Sequence, residues 1–144
     1  MAAQSLLKRS PNMTLEEFKE QWLRGHAPKA VPLFLHFGVE YYVQIHAPLT
    51  TTTPDLDLTP YSVAGEATAP SALVTAMTTG AGTPQWVLDY YREVVLVDER
   101  RCLLTDSMKH MLPVPPGTVN GVKEVIIREG ICEIEVPEAV WEVR

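Results

Sequence analysis

Residues 14–28 read TLEEFKEQWLRGHAP, and the meaning given to this stretch decides the fold. Thr14 can cap a helix while Glu17, three residues on, returns the capping-box bond, and Glu16 and Glu17 suit the positive end of a helix dipole. Leu15, Phe18, Trp22 and His26 then fall on one stripe at helical spacing. Gly25, with Arg24 in the last turn, predicts a stop at Gly25. On this reading His26 lies just past the helix end, at the negative end of the dipole and near free carbonyls, pointing where the aromatics point. The dipole favours an imidazolium and an apolar pocket favours the neutral ring, so the group is able to titrate near neutrality and to give or take a proton. The other reading is a structural histidine that bonds a carbonyl and fastens the helix end.

Working outward, Ala3 to Lys8 form a mostly apolar run closed by the turn cluster Ser10-Pro11-Asn12, which predicts a first strand before the helix. PKAVPLFLHF, from Pro28, predicts a short second helix. In VEYYVQIHA, residues Val39, Tyr41, Val43 and Ile45 alternate with Glu40, Tyr42, Gln44 and His46, the period of a strand with one apolar face and one face of functional groups. PLTTTTPDLDLTP has no period and predicts a loop. YSVAGEATA predicts a third strand, SALVTAM a short helix, and QWVLDYYREVVL a longer one on the stripe Trp86, Val87, Tyr90 and Val94, running on into DERR. LLTDSMKHML alternates as a fourth strand, stopped by PVPPG, and EVIIREGICEIEV predicts a hairpin turning at Glu129-Gly130.

That order is the split βαβ pattern, so the expected fold is α+β: a ferredoxin-like βαββαβ unit over residues 1–117 with an antiparallel sheet, and a C-terminal β-hairpin extension over 118–144. Both helices lie on one face of such a sheet. The other face is left apolar, which predicts a second copy as its cover and hence a homodimer. The Pro48 to Pro60 segment, rich in Thr and following the strand of Tyr42 and His46, is expected to be a lid over the pocket mouth.

Composition narrows the function classes. A chain of 144 residues, 46% hydrophobic and 21% charged, is long enough for one domain with a real core and too short for two. The net charge of −6, with no run of Lys or Arg longer than two, argues against nucleic acid and against an anionic membrane surface as partners. No stretch is long enough to span a bilayer and MAAQSLLKRS lacks the apolar core of a signal peptide, so a cytoplasmic protein is expected. Cys102 and Cys132 have neither zinc nor disulfide spacing and read as reduced, packed thiols.

LLKRSPNMTLEEFKEQWLRGHAPKAV, then YYVQIHAP, then VVLVDERRCLL resemble, in that order, the EthD family of dimeric α/β-barrel proteins. The specific part is Phe18, Trp22, His26 and Pro28 at the family's spacing. The sequence departs from the family where an Asp-Gly opening the third strand is missing near Tyr61-Ser62 and where Cys102 replaces an aromatic. The resemblance implies a dimeric α/β barrel and chemistry without a cofactor on hydrophobic, often polycyclic substrates: decarboxylation, dehydration or ring closure of aromatic polyketides, or cofactor-free monooxygenation. It also leaves open a non-catalytic binding module.

His26 is the candidate catalytic residue. Phe18 and Trp22 are candidate walls for a planar substrate, being core residues on the other reading. Tyr42 and His46, on the functional face of the second strand, are candidates to orient phenols or share a proton with His26, and His110 on the fourth strand to meet the same pocket. His36 reads as packed or capping. Asp98 and Glu99 read as a helix-end charge cluster with Arg100 and Arg101. No phosphate loop, nucleophile elbow or two-histidine metal spacing is present, so no cofactor and no metal is expected.

Overall fold

Six strands, β1 (Ala3–Leu7), β2 (Tyr42–Thr51), β3 (Val63–Ala67), β4 (Leu112–Val114), β5 (Val119–Arg128) and β6 (Ile131–Cys132), form one antiparallel sheet in the order β4-β1-β3-β2-β5-β6. The computed structural model describes residues 2–141. The first four strands take the order of a ferredoxin-like unit, and the hairpin β5-β6 extends the sheet beyond β2. The hairpin turns at Glu129 and Gly130 with φ of 52° and 75°, the left-handed pair that a two-residue turn requires.

The first helix starts as its sequence dictates: Glu17 N–H donates to Thr14 Oγ1 at 3.1 Å and Thr14 N–H to Glu17 Oε1 at 2.9 Å. It does not stop at Gly25. α1 (Leu15–Glu20) passes through a π-helical segment, Gln21–His26, straight into α2 (Ala27–His36). The reason is Pro28, which has no N–H to return to the preceding turn; the turn widens and Ala27 N–H reaches Trp22 O, five residues back. His26 is therefore mid-rod and has no helix end beside it. A second rod repeats the device, α4 (Gln85–Tyr90) running through a π-helical segment, Tyr91–Val95, into α5 (Leu96–Cys102). In chain order α3 (Ser71–Thr78) comes between the two rods. No helix is long and apolar enough to cross a membrane.

The fourth strand is the second departure. Arg100 pairs with Asp106 through Nε at 2.8 Å and Nη2 at 3.2 Å, which folds residues 103–106 back. Residues Ser107–His110 close into one helical turn, α6, and only Leu112–Val114 pairs with β1. His110 is thus on a helix. Pro113 is tolerated because β4 is the sheet edge.

Alternation along the strands sends Leu7, Val63, Tyr42, Gln44 and His46 to the face under the rods, and Leu6, Ala64, Val43 and Ile45 to the other. That second face is not bare: Leu6, Val43, Ile45, Ala64 and Val119 are fully buried, packed with Leu49, Leu56 and Leu58 of the segment expected to be a lid and with Tyr61 just after it. The segment therefore lies across the sheet from His26 and covers part of the face opposite the rods. A short helix, α7 (Glu138–Trp141), packs beside α2.

Replacing residues 52–60 by a short Gly-Ser turn should accordingly lower the free energy of unfolding by about 2–3 kcal/mol, the value of two half-buried leucines, measured by urea denaturation. Unchanged stability would show that Leu56 and Leu58 are not part of the core.

Candidate functional site

The candidate site forms where the two rods meet, the first π-helical segment against α5 and the second against α2. Phe18, Trp22 and His26 are stacked along the first rod: Phe18 and Trp22 rings lie 5.7 Å apart at 18°, and Trp22 and His26 rings 3.9 Å apart at 8°. All three are buried. Their spacing of four, legible in the sequence, becomes a continuous aromatic wall.

The stack delivers the imidazole to an acid. His26 Nδ1 lies 3.0 Å from Asp98 Oδ2, with both side chains 5% exposed. Asp98 Oδ1 accepts from Lys29 Nζ at 3.0 Å and Arg101 Nη1 at 3.5 Å. Burial works to raise the Asp98 carboxyl, but the hydrogen bonds and charges of His26 and Lys29 outweigh it and leave its pKa below the usual carboxylate value. An ionised carboxylate can only accept, so Nδ1 carries the hydrogen. Nε2 makes no hydrogen bond among the described residues.

Asp98 and Glu99, read from the sequence as a helix-end charge cluster with Arg100 and Arg101, do stand in the last helix segment of the rod and Asp98 does meet Arg101, but the two acids face the interior. Both are buried, at 3% and 5% exposure, while Arg100 turns outward to Asp106. Glu99 Oε1 accepts from Ser107 Oγ at 2.8 Å, and burial pushes its carboxyl above the ordinary value. The second rod reaches α5 without a break, so the stripe of Tyr91 and Val95 continues through Asp98 to Cys102 at helical spacing. That continuation was the available signal. Gln44 and Lys29 were also missed, Gln44 because an amide in a strand advertises no chemistry.

Gln44 organises the floor. Its Nε2 donates to Trp22 O at 2.9 Å and to Tyr42 Oη at 3.3 Å, and its Oε1 accepts from His46 Nε2 at 2.8 Å. Tyr42 and His46 therefore join the side of the sheet that carries Trp22, through Gln44. Burial, with Lys19 nearby, holds His46 down at about 4, and burial pushes Tyr42 up to about 12. Neither exchanges a proton near neutral pH.

His110 is elsewhere. Its Nε2 accepts from Lys8 N–H at 3.0 Å, so Nδ1 carries the hydrogen and donates to Thr105 Oγ1 at 2.6 Å. Both nitrogens are spent on fastening the end of β1, and neither bond reaches His26. His36 packs edge-on against Phe37 and Trp86. Cys102 and Cys132 are free thiols, and burial followed by the Asp98 charge pushes Cys102 up to about 11. A cleft of about 710 Å³ opens along the first rod, between Leu23 and Pro28, Val125 of β5, and Ile134 and Val136 of the C-terminal segment. None of Phe18, Trp22, His26, Tyr42 or His46 lines it.

Residues 10–86, more than half of the chain, match the family model described as EthD domain. No curated protein and no solved structure matches the chain. The matched span holds Phe18, Trp22, His26, Tyr42 and His46, and ends before Asp98, Glu99 and His110.

The depressed His46 has a consequence for stability. Its folded value of about 4 lies below the ordinary 6.5, so the unfolded chain binds the extra proton and stability rises with pH across that window. Acidification from pH 6.5 to 4 should cost about 3 kcal/mol through this group, and His46→Gln should flatten that part of the urea-midpoint profile. An unchanged profile would show that His46 is solvated.

Proposed function

The chain belongs to the EthD domain family, and on that footing we propose that it is a cofactor-independent lyase or cyclase acting on an aromatic, polyketide-type molecule. The observation that carries this reading is the buried His26–Asp98 pair, stacked on Trp22 with Nε2 uncommitted. The carboxylate fixes the tautomer and the orientation of the ring, which is what a general acid or base needs, and the aromatic wall suits a planar substrate.

In a decarboxylation, the imidazolium would deliver its Nε2 proton to the ring carbon bearing the carboxylate. The carbon–carboxylate bond then breaks, its electron pair restores the aromatic ring, and carbon dioxide leaves. Exclusion of water weakens solvation of the carboxylate and favours that step. In a dehydration or aldol closure the same nitrogen takes a proton next to a carbonyl or gives one to the departing hydroxyl. His26 is the group that moves the proton in each case. Tyr42 and His46 hold the floor in place through Gln44. The reading includes a homodimer, which rests on the family resemblance, and a cytoplasmic location.

A second reading, a non-catalytic module that binds a small hydrophobic molecule, draws on the 710 Å³ cleft, whose size suits such a ligand and which lies apart from His26. The two readings divide on one substitution. Release of carbon dioxide or water from a panel of hydroxyaryl carboxylic acids and hydroxyaryl ketols should fall about 10²–10⁴-fold in His26→Gln, with folding intact. A Gln variant keeping more than about a tenth of wild-type turnover, far outside that range, would remove His26 from the chemistry.

A further inference from the structure

The cleft of about 710 Å³ beside the first rod combines apolar surface with charges that are unevenly paired. Leu23 of the rod and Ile134 and Val136 of the C-terminal segment line it, each only partly buried and each packed against the main core. Such side chains keep part of their apolar surface open in a concavity of ligand size. Three charged side chains line the same space, Arg24, Glu124 and Glu135. The cation has its counter-charge already: Arg24 Nε lies 3.2 Å from Glu20 Oε1, one turn back on the helix. The Glu124 and Glu135 side chains have neither an ion pair nor a hydrogen bond among the described residues. One neutralised cation and two uncompensated carboxylates give the cleft a negative field, which favours a cationic ligand and opposes an anionic one.

We propose that the cleft takes a small molecule with an apolar body and a protonated amine, the body lying against Leu23, Ile134 and Val136 and the ammonium paired with Glu124 and Glu135. The inference rests on the second reading above, in which the cleft holds a small hydrophobic molecule, and adds the chemical class that the cleft selects. It is independent of His26, which does not line the cleft. An ammonium has three donors and no acceptor, so two carboxylates with no donor of their own match it, and an apolar body removes the half-exposed aliphatic side chains from water.

The test titrates three fluorescent probes of one ring system, 1-naphthalenemethylamine, 1-ethylnaphthalene and 1-naphthoate, into three proteins. These are wild type, Glu124→Gln/Glu135→Gln, and the control Glu16→Gln/Glu93→Gln, which removes two exposed charges that do not line the cleft. Gln keeps the shape of Glu, so each variant retains its packing. Wild type should hold the amine about tenfold more tightly than the hydrocarbon, the value of a hydrogen bond to a charged group, and the acid most weakly. The cleft variant should bring amine and hydrocarbon within about threefold of each other while the control keeps the preference. A hydrocarbon bound as tightly as the amine, or a preference that survives in the cleft variant or is lost in the control, would overturn the amine and leave the cleft standing as a hydrophobic site. An acid bound more tightly than the amine would make Arg24 the selecting group and overturn the proposal equally. No binding of any probe, the result expected of a cleft closed by a second copy of the chain, would overturn the cleft reading itself.

Discussion

A carboxylate taken out of water must find its counter-charges at once, and in this chain Asp98 finds them in a helix that precedes it by some seventy residues of sequence. His26 and Lys29 come from the first rod, Arg101 from its own. Holding those donors requires the rods to lie side by side over the sheet. The Tyr90 hydroxyl adds a bond to the Lys29 carbonyl in the same seam. The two π-helical segments fall at this seam, and wide turns of this kind recur at functional sites because they re-aim side chains without ending the helix.

The remaining polar groups of the interior sort by whether their bonding is closed. On the far face of the sheet Gln4 donates to Glu66 and to Val119 O, and Tyr41 donates to the second Glu66 oxygen. Every member has its partner, and such a net holds strands together. Under the rods, the Trp22–Gln44–His46 chain is likewise satisfied where it meets the backbone. Among the described residues two side-chain atoms are buried without a hydrogen-bond partner, Oε2 of Glu99 at the seam and Nε of Arg9.

Much of the fold was legible because its signals are local. The capping box at Thr14 and Glu17, the alternation from Val39 to His46 and the Glu129-Gly130 turn each act within a few residues, and their order yields the ferredoxin-like pattern. What was not legible depends on partners distant in sequence. Gly25 before His26 carries the composition of a helix stop, and only the continuation of the rod past Pro28 shows that it is none. Asp98 read as one of a helix-end charge cluster because the partners that draw it inward, His26 and Lys29, are distant in sequence, and the Thr-rich segment after Pro48 hid three leucines that serve the far face of the sheet. The Phe18–Trp22–His26 stripe was legible as a shared face, but what stands beside His26 is the Asp98 side chain and not the end of a helix dipole.

Asp98 holds the hydrogen of the His26 ring on Nδ1, 3.0 Å from its Oδ2. Long-range proton–nitrogen correlation spectra of the histidine side chains test it directly, in wild type and in Asp98→Asn. A slowly exchanging Nδ1–H on His26 is expected in wild type, and loss of that protection in Asp98→Asn. A His26 found as the Nε2–H tautomer, or one whose exchange ignores the Asp98 substitution, would contradict it.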